Sequence, residues 1–419
     1  MKQVTAILLG AGQRGAEAYA SYALDYPNEL KFVAVAEPRA DRREEFAKLH
    51  DIAPQNAVES DMELLNRPKM ADCVLICTQD QMHYEALKLA VEKGYHILCE
   101  KPISPVKSEL IEIGEIAKKY DKVISICHVL RYSPFFRELK RLLDEGAIGQ
   151  LVDIQHIESV GYWHMAHSFV RGNWRNKSLS SPMILQKCCH DMDILLWLVG
   201  GSCTRLTSFG NLMHFKEENA PEDAPAHCLD GCVHRDECPY FAPRFYLEDL
   251  EEKGGTFAKV VSLQTDKKSL LDALKDGPYG RCVYHCDNDV VDHQVVNLEF
   301  DNGVTASMTM CAFTNKCERI INLMGTKGQI RGNMEENEII VEDFASGNTT
   351  KIKVKVPKGG HSGSDVSMMK DFVELVAGGG TAKSVSAASE SIESHLMALA
   401  AEDSREHNGV VYEMKGYGK

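Results

Sequence analysis

The chain has little of two features that would direct it to a membrane or to nucleic acid. No stretch approaches the roughly 18–20 consecutive apolar residues that span a bilayer. Its 47 Lys and Arg are outnumbered by 61 Asp and Glu, which leaves a net charge of −14. Proteins that bind nucleic acid need clustered basic side chains to displace counterions from the phosphates. We therefore expect neither a membrane nor a nucleic acid among its partners.

A signal peptide is also missing from the sequence given. The chain begins with an apolar strand pattern over 4–9 and shows no basic n-region and no small-residue cleavage site. We therefore expect a cytoplasmic protein. In that compartment its 14 cysteines serve as thiols or metal ligands more often than as disulfides.

The length and the hydrophobic pattern predict two domains. A chain of 419 residues with 44% hydrophobic residues is too long for one typical core. Over residues 1–130, short apolar runs alternate with helical patterns, which indicates a parallel sheet with helical crossovers. The runs lie at 4–10, 31–37, 71–78, 96–99 and 122–129, and the helical patterns include 81–93 and 107–119.

The pattern changes after Gly149, and residues 131–419 are predicted to form an α+β domain with a mostly antiparallel sheet. A polar insertion rich in Cys and Pro occupies about 215–285. Two helical patterns lie within 364–406, and we expect these helices to pack back toward the first domain. The remaining predicted elements are strands at 151–158, 290–300, 303–313, 319–324, 338–342 and 350–356, and a helix at 188–199.

A glycine-rich turn at Gly10–Gly15 fits the pattern G-x-G-x-x-G. It follows a buried strand and opens a helix, the context in which this pattern binds the pyrophosphate of a dinucleotide in a Rossmann domain. Glu37 ends the second strand about 20 residues later, where a carboxylate binds the ribose 2′-hydroxyl of NAD. Arg39 keeps NADP open as the less favoured cofactor, and a glycine-rich turn without a ligand is the alternative.

A second group of residues follows the later strands of the same domain. Ligands of such sheets bind beyond the carboxyl ends of the strands. We expect His83 either beside the cofactor or capping a helix. The predicted cofactor-binding residues are Gly10, Gly12, Gln13, Arg14, Gly15, Glu37, Arg39, Thr78, His83, Glu100 and Lys101.

Three residues are predicted to carry the chemistry. Lys101, in Glu100-Lys101-Pro102 directly after the strand 96–99, lies where the nicotinamide would bind and could exchange a proton with a hydroxyl. His190 is an acid/base candidate because imidazole titrates near neutral pH, and Lys187 precedes it by three residues. The alternatives are a surface lysine at a strand end and a histidine that caps or packs a helix start.

Two of the chain's three Trp lie within one short segment that also carries His, Arg and Asn, at 161–176. Aromatic faces with guanidinium donors suit carbohydrate or carboxylate recognition, and an ordinary structured loop is the alternative. A glycine-rich turn near 361 could bring a histidine to the same cleft. The predicted substrate-binding residues are Tyr162, Trp163, His164, Arg171, Trp174, Arg175 and His361.

Together these motifs resemble the Gfo/Idh/MocA family (glucose–fructose oxidoreductase, inositol dehydrogenase) of nicotinamide-dependent oxidoreductases. The resemblance spans essentially the whole chain. The motifs that carry it are Gly10–Gly15, Glu100-Lys101-Pro102, His190-x-x-Asp193-x-x-x-Trp197, Gly325-Thr326-Lys327-Gly328 and Ala401-Glu402-x-Ser404-Arg405.

The resemblance implies an N-terminal Rossmann domain, a C-terminal α/β domain with an open sheet, and an active site between them. It implies a substrate with a secondary alcohol, such as a sugar or polyol, with Lys101 as the catalytic lysine and His190 as the family's histidine. It also implies a homodimer or homotetramer that pairs through the open face of the sheet.

One position departs from the family. Gln186 occupies the position, four residues before His190, where simple dehydrogenases of the family tend to carry Asp. Gln is no base, so proton transfer would depend on Lys101, Lys187 or His190. The family's redox-assisted glycoside hydrolases or lyases, which oxidise a sugar transiently, eliminate its substituent and reduce it again, are therefore an alternative. A catalytically silent dinucleotide-binding regulator is a third hypothesis, against which Lys101 and His190 argue.

The insertion carries a group of cysteines, Cys228, Cys232 and Cys238, for which Cys282 or Cys286 could supply a fourth ligand. Four sulfur ligands are typical of a structural zinc site. An iron–sulfur cluster or a set of free or paired thiols are the alternatives. We predict zinc at Cys228, Cys232, Cys238 and Cys282.

Overall fold

The computed structural model describes residues 2–264, 266–356, 363–380 and 384–418. In this part of the chain, six strands form a first sheet in which all neighbours pair in parallel, in the order β3-β2-β1-β4-β5-β6. The strands are β1 (Val4–Leu9), β2 (Leu30–Ala36), β3 (Ala57–Val58), β4 (Cys73–Ile76), β5 (His96–Cys99) and β6 (Ile124–Ile126). This order is that of the doubly wound dinucleotide-binding fold and confirms the predicted Rossmann domain.

Helices connect these strands and cover both faces of the sheet. They are α1 (Ser21–Asp25), α2 (Ala40–Leu49), α3 (Asp61–Asn66), α4 (His83–Glu92) and α5 (Lys107–Lys119), with a π-helical segment at Gln13–Tyr19 before α1. Apart from His96 at the start of β5, the central strands β4 and β5 consist of buried apolar residues, as expected when helices pack on both faces of a sheet. The loops after β1, β2, β4, β5 and β6 therefore share one edge.

The second sheet has nine strands among the described residues, in the order β14-β13-β12-β11-β7-β10-β9-β8-β15. Strands β7 and β10 pair in parallel and all other neighbours are antiparallel, which confirms the predicted mostly antiparallel sheet. The strands are β7 (Leu151–Ser159), β8 (Cys203–Asn211), β9 (His293–Phe300), β10 (Thr305–Cys311), β11 (Glu318–Gly325), β12 (Gly328–Asn333), β13 (Glu338–Asp343), β14 (Thr349–Lys353) and β15 (Tyr412–Glu413).

The remaining helices follow β6 in the chain. They are α6 (Pro134–Asp144), α7 (Tyr162–His164), α8 (Met183–Gln186), α9 (Cys189–Val199), α10 (Ala242–Glu252), α11 (Ala258–Val261), α12 (Lys267–Asp276), α13 (Ser364–Ala377), α14 (Ala388–Glu406) and α15 (Met414–Tyr417), with a π-helical segment at Met165–Arg171. Helices α9, α14 and α15 pack on this sheet, α9 on β7 and both α14 and α15 on β8. Helix α14 also packs on α9 and α5. The described helices include none that is long and apolar enough to cross a membrane.

The insertion predicted at about 215–285 contains three helices, α10 to α12, which the polar composition did not predict. Their apolar side chains form a small separate core that includes Tyr246, Leu270 and Leu274. Arg171 joins the insertion to the rest of the domain: its Nε donates to the carbonyl of Arg281 at 2.7 Å and its Nη2 donates to that of Tyr240 at 2.6 Å.

Candidate active site

The glycine turn after β1 has the geometry of a phosphate-binding loop. Gly10 has a φ of +86°, and a Cβ added there would meet the carbonyl oxygen of Cys77 at 2.5 Å. A Cβ on Gly15 would collide with the carbonyl oxygen of Gly10. A Cβ on Gly12, by contrast, would have Arg42 Nη1, at 3.7 Å, as its nearest neighbour among the described residues. Gly10 and Gly15 are thus required by the turn itself, and Gly12 leaves room for a ligand.

Glu37, at the end of β2, faces this turn. Its carboxylate is buried and accepts hydrogen bonds from the backbone N–H of Ala11 at 2.8 Å and of Arg39 at 3.0 Å. The Arg39 side chain points to Asp41, with which it forms an ion pair at 2.6 Å. Glu37, which would bind a ribose hydroxyl, therefore lies beside the glycine turn. The guanidinium of Arg39 instead pairs with Asp41.

Arg14 and Glu100 form a network beneath the turn. Arg14 pairs with Glu100 at 3.0 Å and with Asp365 of α13 at 2.7 Å, and Tyr19 donates a hydrogen bond to Glu100. Burial opposes ionisation of Glu100, but Arg14 and Lys101 outweigh it and lower the pKa of that carboxyl. The network connects α13 to the Rossmann domain. Arg14 and Glu100 thus stabilise the glycine turn at Gly10–Gly15 through contacts within the protein.

Thr78 and His83 lie at the same edge, after β4. The Thr78 hydroxyl is buried and has no hydrogen-bond partner among the described residues, as expected of a group that faces a bound cofactor. His83 is the first residue of α4; its Nδ1 lies 2.7 Å from the carbonyl oxygen of Pro102 and its Nε2 3.0 Å from that of Thr78. His83 thus links the loops after β4 and β5. The glycine turn, Glu37 and Thr78 together fit a nicotinamide dinucleotide.

Lys101 follows β5 and reaches across to the second domain. Its Nζ donates a hydrogen bond to the backbone carbonyl of Gln186 at 2.8 Å, and its peptide bond to Pro102 is cis. Gln186 ends α8, and Lys187 and His190 follow in the chain before and within α9. The three residues predicted to carry the chemistry are therefore brought to one place between the two domains.

His190 packs against a histidine that sequence reasoning missed. His128, directly after Cys127 at the end of β6, lies edge-on to His190 with ring centroids 5.8 Å apart and to His395 of α14 at 5.4 Å. Burial, with Arg131 and Lys101 nearby, lowers the pKa of His128 well below its usual value. The sequence did contain a local indication of His128: it follows a buried strand, β6, at the same edge of the sheet at which Lys101 follows β5.

Asp193 stabilises the same cluster from α9. It is fully buried and accepts two hydrogen bonds from Arg131, at 2.7 and 2.8 Å. Burial raises the pKa of Asp193 although Arg131 opposes this shift. Asp193 therefore anchors α9, and with it His190, to the end of the Rossmann domain.

Lys187 contacts a set of buried charges on the inner face of the second sheet. Lys187 Nζ lies 3.2 Å from Glu158 Oε1, and Arg319 Nη2 lies 3.0 Å from Glu158 Oε2. Arg319 Nε pairs with Asp191 at 2.8 Å, and His156 Nε2 lies 2.7 Å from the same carboxylate. Burial opposes ionisation of Asp191, but Arg319 and His156 outweigh it and lower its pKa.

The predicted substrate segment is divided by the structure. Tyr162, Trp163 and His164 form α7, and Trp163 stacks on Phe245 of the insertion with centroids 6.2 Å apart. Trp174 packs on Phe169, whereas Arg175 pairs with Asp287 at 2.7 Å. Arg171 is buried beneath the insertion, away from the cleft. His361 lies outside the described residues.

The cysteine group does not support the zinc prediction. In the described ranges no three or more His, Cys, Asp or Glu are arranged to hold a metal ion. The guanidinium of Arg171 lies 3.9 Å from Cys228 Sγ, and the Cys286 thiol donates to the carbonyl of Cys282. The cysteines lie close together in the sequence, but the described residues do not form a tetrahedral set of sulfur ligands.

The comparison with protein-family models assigns both domains. Residues 4–128 match the oxidoreductase family with an NAD-binding Rossmann fold, and residues 140–411 match the C-terminal alpha/beta domain of the same family, Gfo/Idh/MocA. The chain belongs to this family. It is therefore an oxidoreductase with an NAD-binding Rossmann domain, as the sequence motifs predicted.

Individual relatives are distant. YteT of Bacillus subtilis (strain 168), named as an oxidoreductase without a stated substrate, is 22% identical over 75% of this chain and 74% of its own length. An inositol 2-dehydrogenase of Corynebacterium glutamicum (strain R) is 28% identical over 42% of this chain and 44% of its own. A D-glucoside 3-dehydrogenase of Escherichia coli (strain K12) is 28% identical over 34% and 40%.

Solved structures of the family share the whole fold. A levoglucosan dehydrogenase in complex with NADH and L-sorbose superposes with a TM-score of 0.71 at 18% identity and covers 99% of both chains. An oxidoreductase from Agrobacterium radiobacter in complex with NAD+, L-tartaric acid and magnesium gives 0.71 at 13% identity, again over 99% of both chains. At such identities the likeness establishes the architecture.

Proposed function

We propose that this protein oxidises a secondary alcohol of a sugar or polyol, with NAD as the hydride acceptor and Lys101 as the group that takes the hydroxyl proton. The observation that carries the proposal is the placement of Lys101 Nζ, 2.8 Å from the Gln186 carbonyl, between the cofactor edge of the first sheet and the helix that bears His190. When bound, the nicotinamide supplies the hydride chemistry.

The roles of the other residues follow from their positions. His190, buried and packed on His128, would donate or accept a hydrogen bond at the reacting oxygen. Glu37 would hold the ribose, and its carboxylate would repel a 2′-phosphate, which favours NAD over NADP. Tyr162, Trp163 and His164 would form the outer wall of the substrate site.

The relatives named for their reactions support a dehydrogenase. The names of two relatives, inositol 2-dehydrogenase and D-glucoside 3-dehydrogenase, state a polyol and a sugar derivative as substrates. The comparisons do not favour the redox-assisted elimination as the main hypothesis. A cytoplasmic location also belongs to the proposal.

We further propose that the chain forms a homodimer or homotetramer through the open face of the second sheet. Cross-strand neighbours Phe209, Val295, Thr309, Ile157 and Ile320 form a continuous row across five strands. Phe209 is 54% exposed, and Val295 and Ile157 are each 38% exposed. Light scattering of the full chain tests this, and Phe209→Asp should shift the mass toward the monomer.

The experiment that tests the activity is incubation of the purified full chain with NAD and a panel of sugars, inositols and chromogenic glycosides. NADH absorbance and aglycone release are followed together. Accumulation of NADH with a free polyol supports the proposal. Aglycone release that requires NAD but yields no NADH would replace it with the redox-assisted glycosidase, and no NAD binding at all would refute both.

A further inference from the structure

The charged side chains next to Lys187 are linked by consecutive ion pairs: Lys187 contacts Glu158, and Glu158 contacts Arg319. Glu158 on β7 and Arg319 on β11 are direct cross-strand partners, so the sheet register itself sets their contact. The side chain of Glu158 is 2% exposed and that of Lys187 is 18% exposed. Lys187 is therefore the more accessible member of this ion pair, and the Glu158 carboxylate is buried.

Stability does not account for this arrangement. Removing two carboxylates from water costs free energy that ion pairing recovers only in part, and apolar replacements of buried ion pairs are often as stable or more so. A buried charge next to a reactive site is a candidate for a functional role, in which it positions or polarises a neighbouring side chain. The neighbouring group here is Lys187.

The two lysines of the cleft have different surroundings. Lys187 has the Glu158 carboxylate at 3.2 Å, with His164 of α7 and Arg319 of β11 as further neighbours. Lys101 Nζ donates to a carbonyl, and among the described residues it has no carboxylate in ion-pair range. The contacts therefore differ: Lys187 forms an ion pair with a buried carboxylate, whereas Lys101 donates to a neutral backbone carbonyl.

We propose that Glu158 is a positioning residue of the active site, which holds Lys187 as a charged hydrogen-bond donor to a substrate oxygen. Arg319 fixes Glu158 in turn. In this arrangement Lys187 orients the substrate and does not accept the proton, which leaves that step to Lys101. The inference rests on the proposed function and assigns a distinct role to each lysine.

A labelling experiment tests the coupling without any substrate. The full chain is treated with sulfo-N-hydroxysuccinimide acetate, which acylates neutral amines, and acetylation of each lysine is followed by peptide mass spectrometry. Glu158→Gln should raise the rate at Lys187 by about tenfold, because the amine loses its carboxylate partner. Glu406→Gln, which removes the carboxylate partner of the surface residue Lys177, should leave the Lys187 rate unchanged.

Kinetics test the role. With a polyol that the wild type oxidises, Lys187→Met and Glu158→Gln should each raise KM by about tenfold and change kcat by less than about threefold, because a ground-state contact is lost. The double variant should be no worse than either single variant, because both remove the same contact. Glu158→Asp, which keeps the charge, and thermal unfolding of each variant separate this effect from misfolding.

Three results would overturn the inference. Lys187→Met could lower kcat by a hundredfold at unchanged KM, which would make Lys187 the base. The Glu158 and Lys187 effects could add, which would uncouple them. Glu158→Gln could also leave the labelling of Lys187 unchanged. If the wild type oxidises no polyol, the proposed function fails, and the labelling result still decides whether Glu158 controls Lys187.

Discussion

Lys101 Nζ donates a hydrogen bond to the carbonyl oxygen of Gln186 at 2.8 Å, and this single bond joins the end of β5 to the turn before α9. The lysine that follows the Rossmann strand is thus aimed into the second domain. We expect Lys101→Met to lower kcat by roughly 10²–10⁴, the usual effect of losing a general base. NAD affinity, measured by quenching of intrinsic fluorescence, should change little. An active Lys101→Met enzyme would remove Lys101 from the proposed mechanism.

Glu37 accepts a hydrogen bond from the Ala11 N–H beside the glycine turn, and we propose that it sets the preference for NAD over NADP. We expect Glu37→Ala to weaken NAD by about tenfold or more, since a hydrogen bond to a charged group contributes about 1.5–3 kcal/mol. NADP should be affected less, because its 2′-phosphate gains from the loss of the carboxylate. Titration of both dinucleotides against wild type and variant measures the ratio. An unchanged ratio would place the ribose away from Glu37.

Gly10 and Gly12 provide a matched pair of substitutions in the same turn. Gly10→Ala should destabilise the protein by about 2 kcal/mol or more, because its φ of +86° and its contact with Cys77 both exclude a Cβ. Gly12→Ala should leave the unfolding free energy nearly unchanged, and it should weaken NAD because the added methyl group occupies the space beside the loop. Urea unfolding and NAD titration separate the two effects. Equal stabilities of the two variants would contradict this account of the turn.

Local patterns predicted the Rossmann half well. Helix α5 begins and ends at the predicted residues, 107 and 119, because its apolar positions follow helical spacing and Pro105 precedes it. The helices of the insertion were missed because their core is small and their composition is polar. The catalytic roles of Lys101, Lys187 and His190 remain predictions; the structure shows that Lys101 Nζ contacts the backbone carbonyl of Gln186, the residue before Lys187.

Contacts between residues that are distant in the sequence could not be predicted from local patterns. Glu158 and Arg319 lie far apart in the chain and meet through the register of β7 and β11, which no local pattern encodes. The zinc prediction met the same limitation, because spacing along the chain does not fix the ligand geometry, and the described residues hold no group of three or more metal ligands. Arg171 looked like a substrate residue by composition alone.

Arg171 should contribute more to stability than its neighbour Arg175. Arg171 is buried and donates to two backbone carbonyls, whereas Arg175 pairs with the exposed Asp287. We expect Arg171→Met to lower the free energy of unfolding by about 2–4 kcal/mol, since each buried carbonyl loses a charged donor. Arg175→Met should cost about 1 kcal/mol or less. Proteolysis of the insertion should accelerate in the Arg171 variant, and similar behaviour of the two variants would show that Arg171 does not anchor it.

His395 should make stability depend on pH. Its Nε2 accepts a hydrogen bond from the Ile103 N–H at 3.0 Å and its Nδ1 donates to the Ser391 carbonyl at 2.7 Å, so the folded protein needs the neutral ring. Burial, with His128 nearby, lowers the pKa of His395 to about 3. In the unfolded chain an ordinary histidine binds a proton near pH 6.5.

The sign follows from this difference. The unfolded state binds the additional proton between about pH 6.5 and 3, so the contribution of His395 is complete above about pH 6.5 and is lost as the pH falls. We expect the free energy of unfolding to fall between pH 6 and 4, with His395 accounting for up to about 1.4 kcal/mol per pH unit. His395→Gln should be less stable at pH 7 and show a shallower slope, whereas Lys177→Met should keep the wild-type slope. Equal slopes for the wild type and His395→Gln would mean that the ring is already protonated in the folded protein.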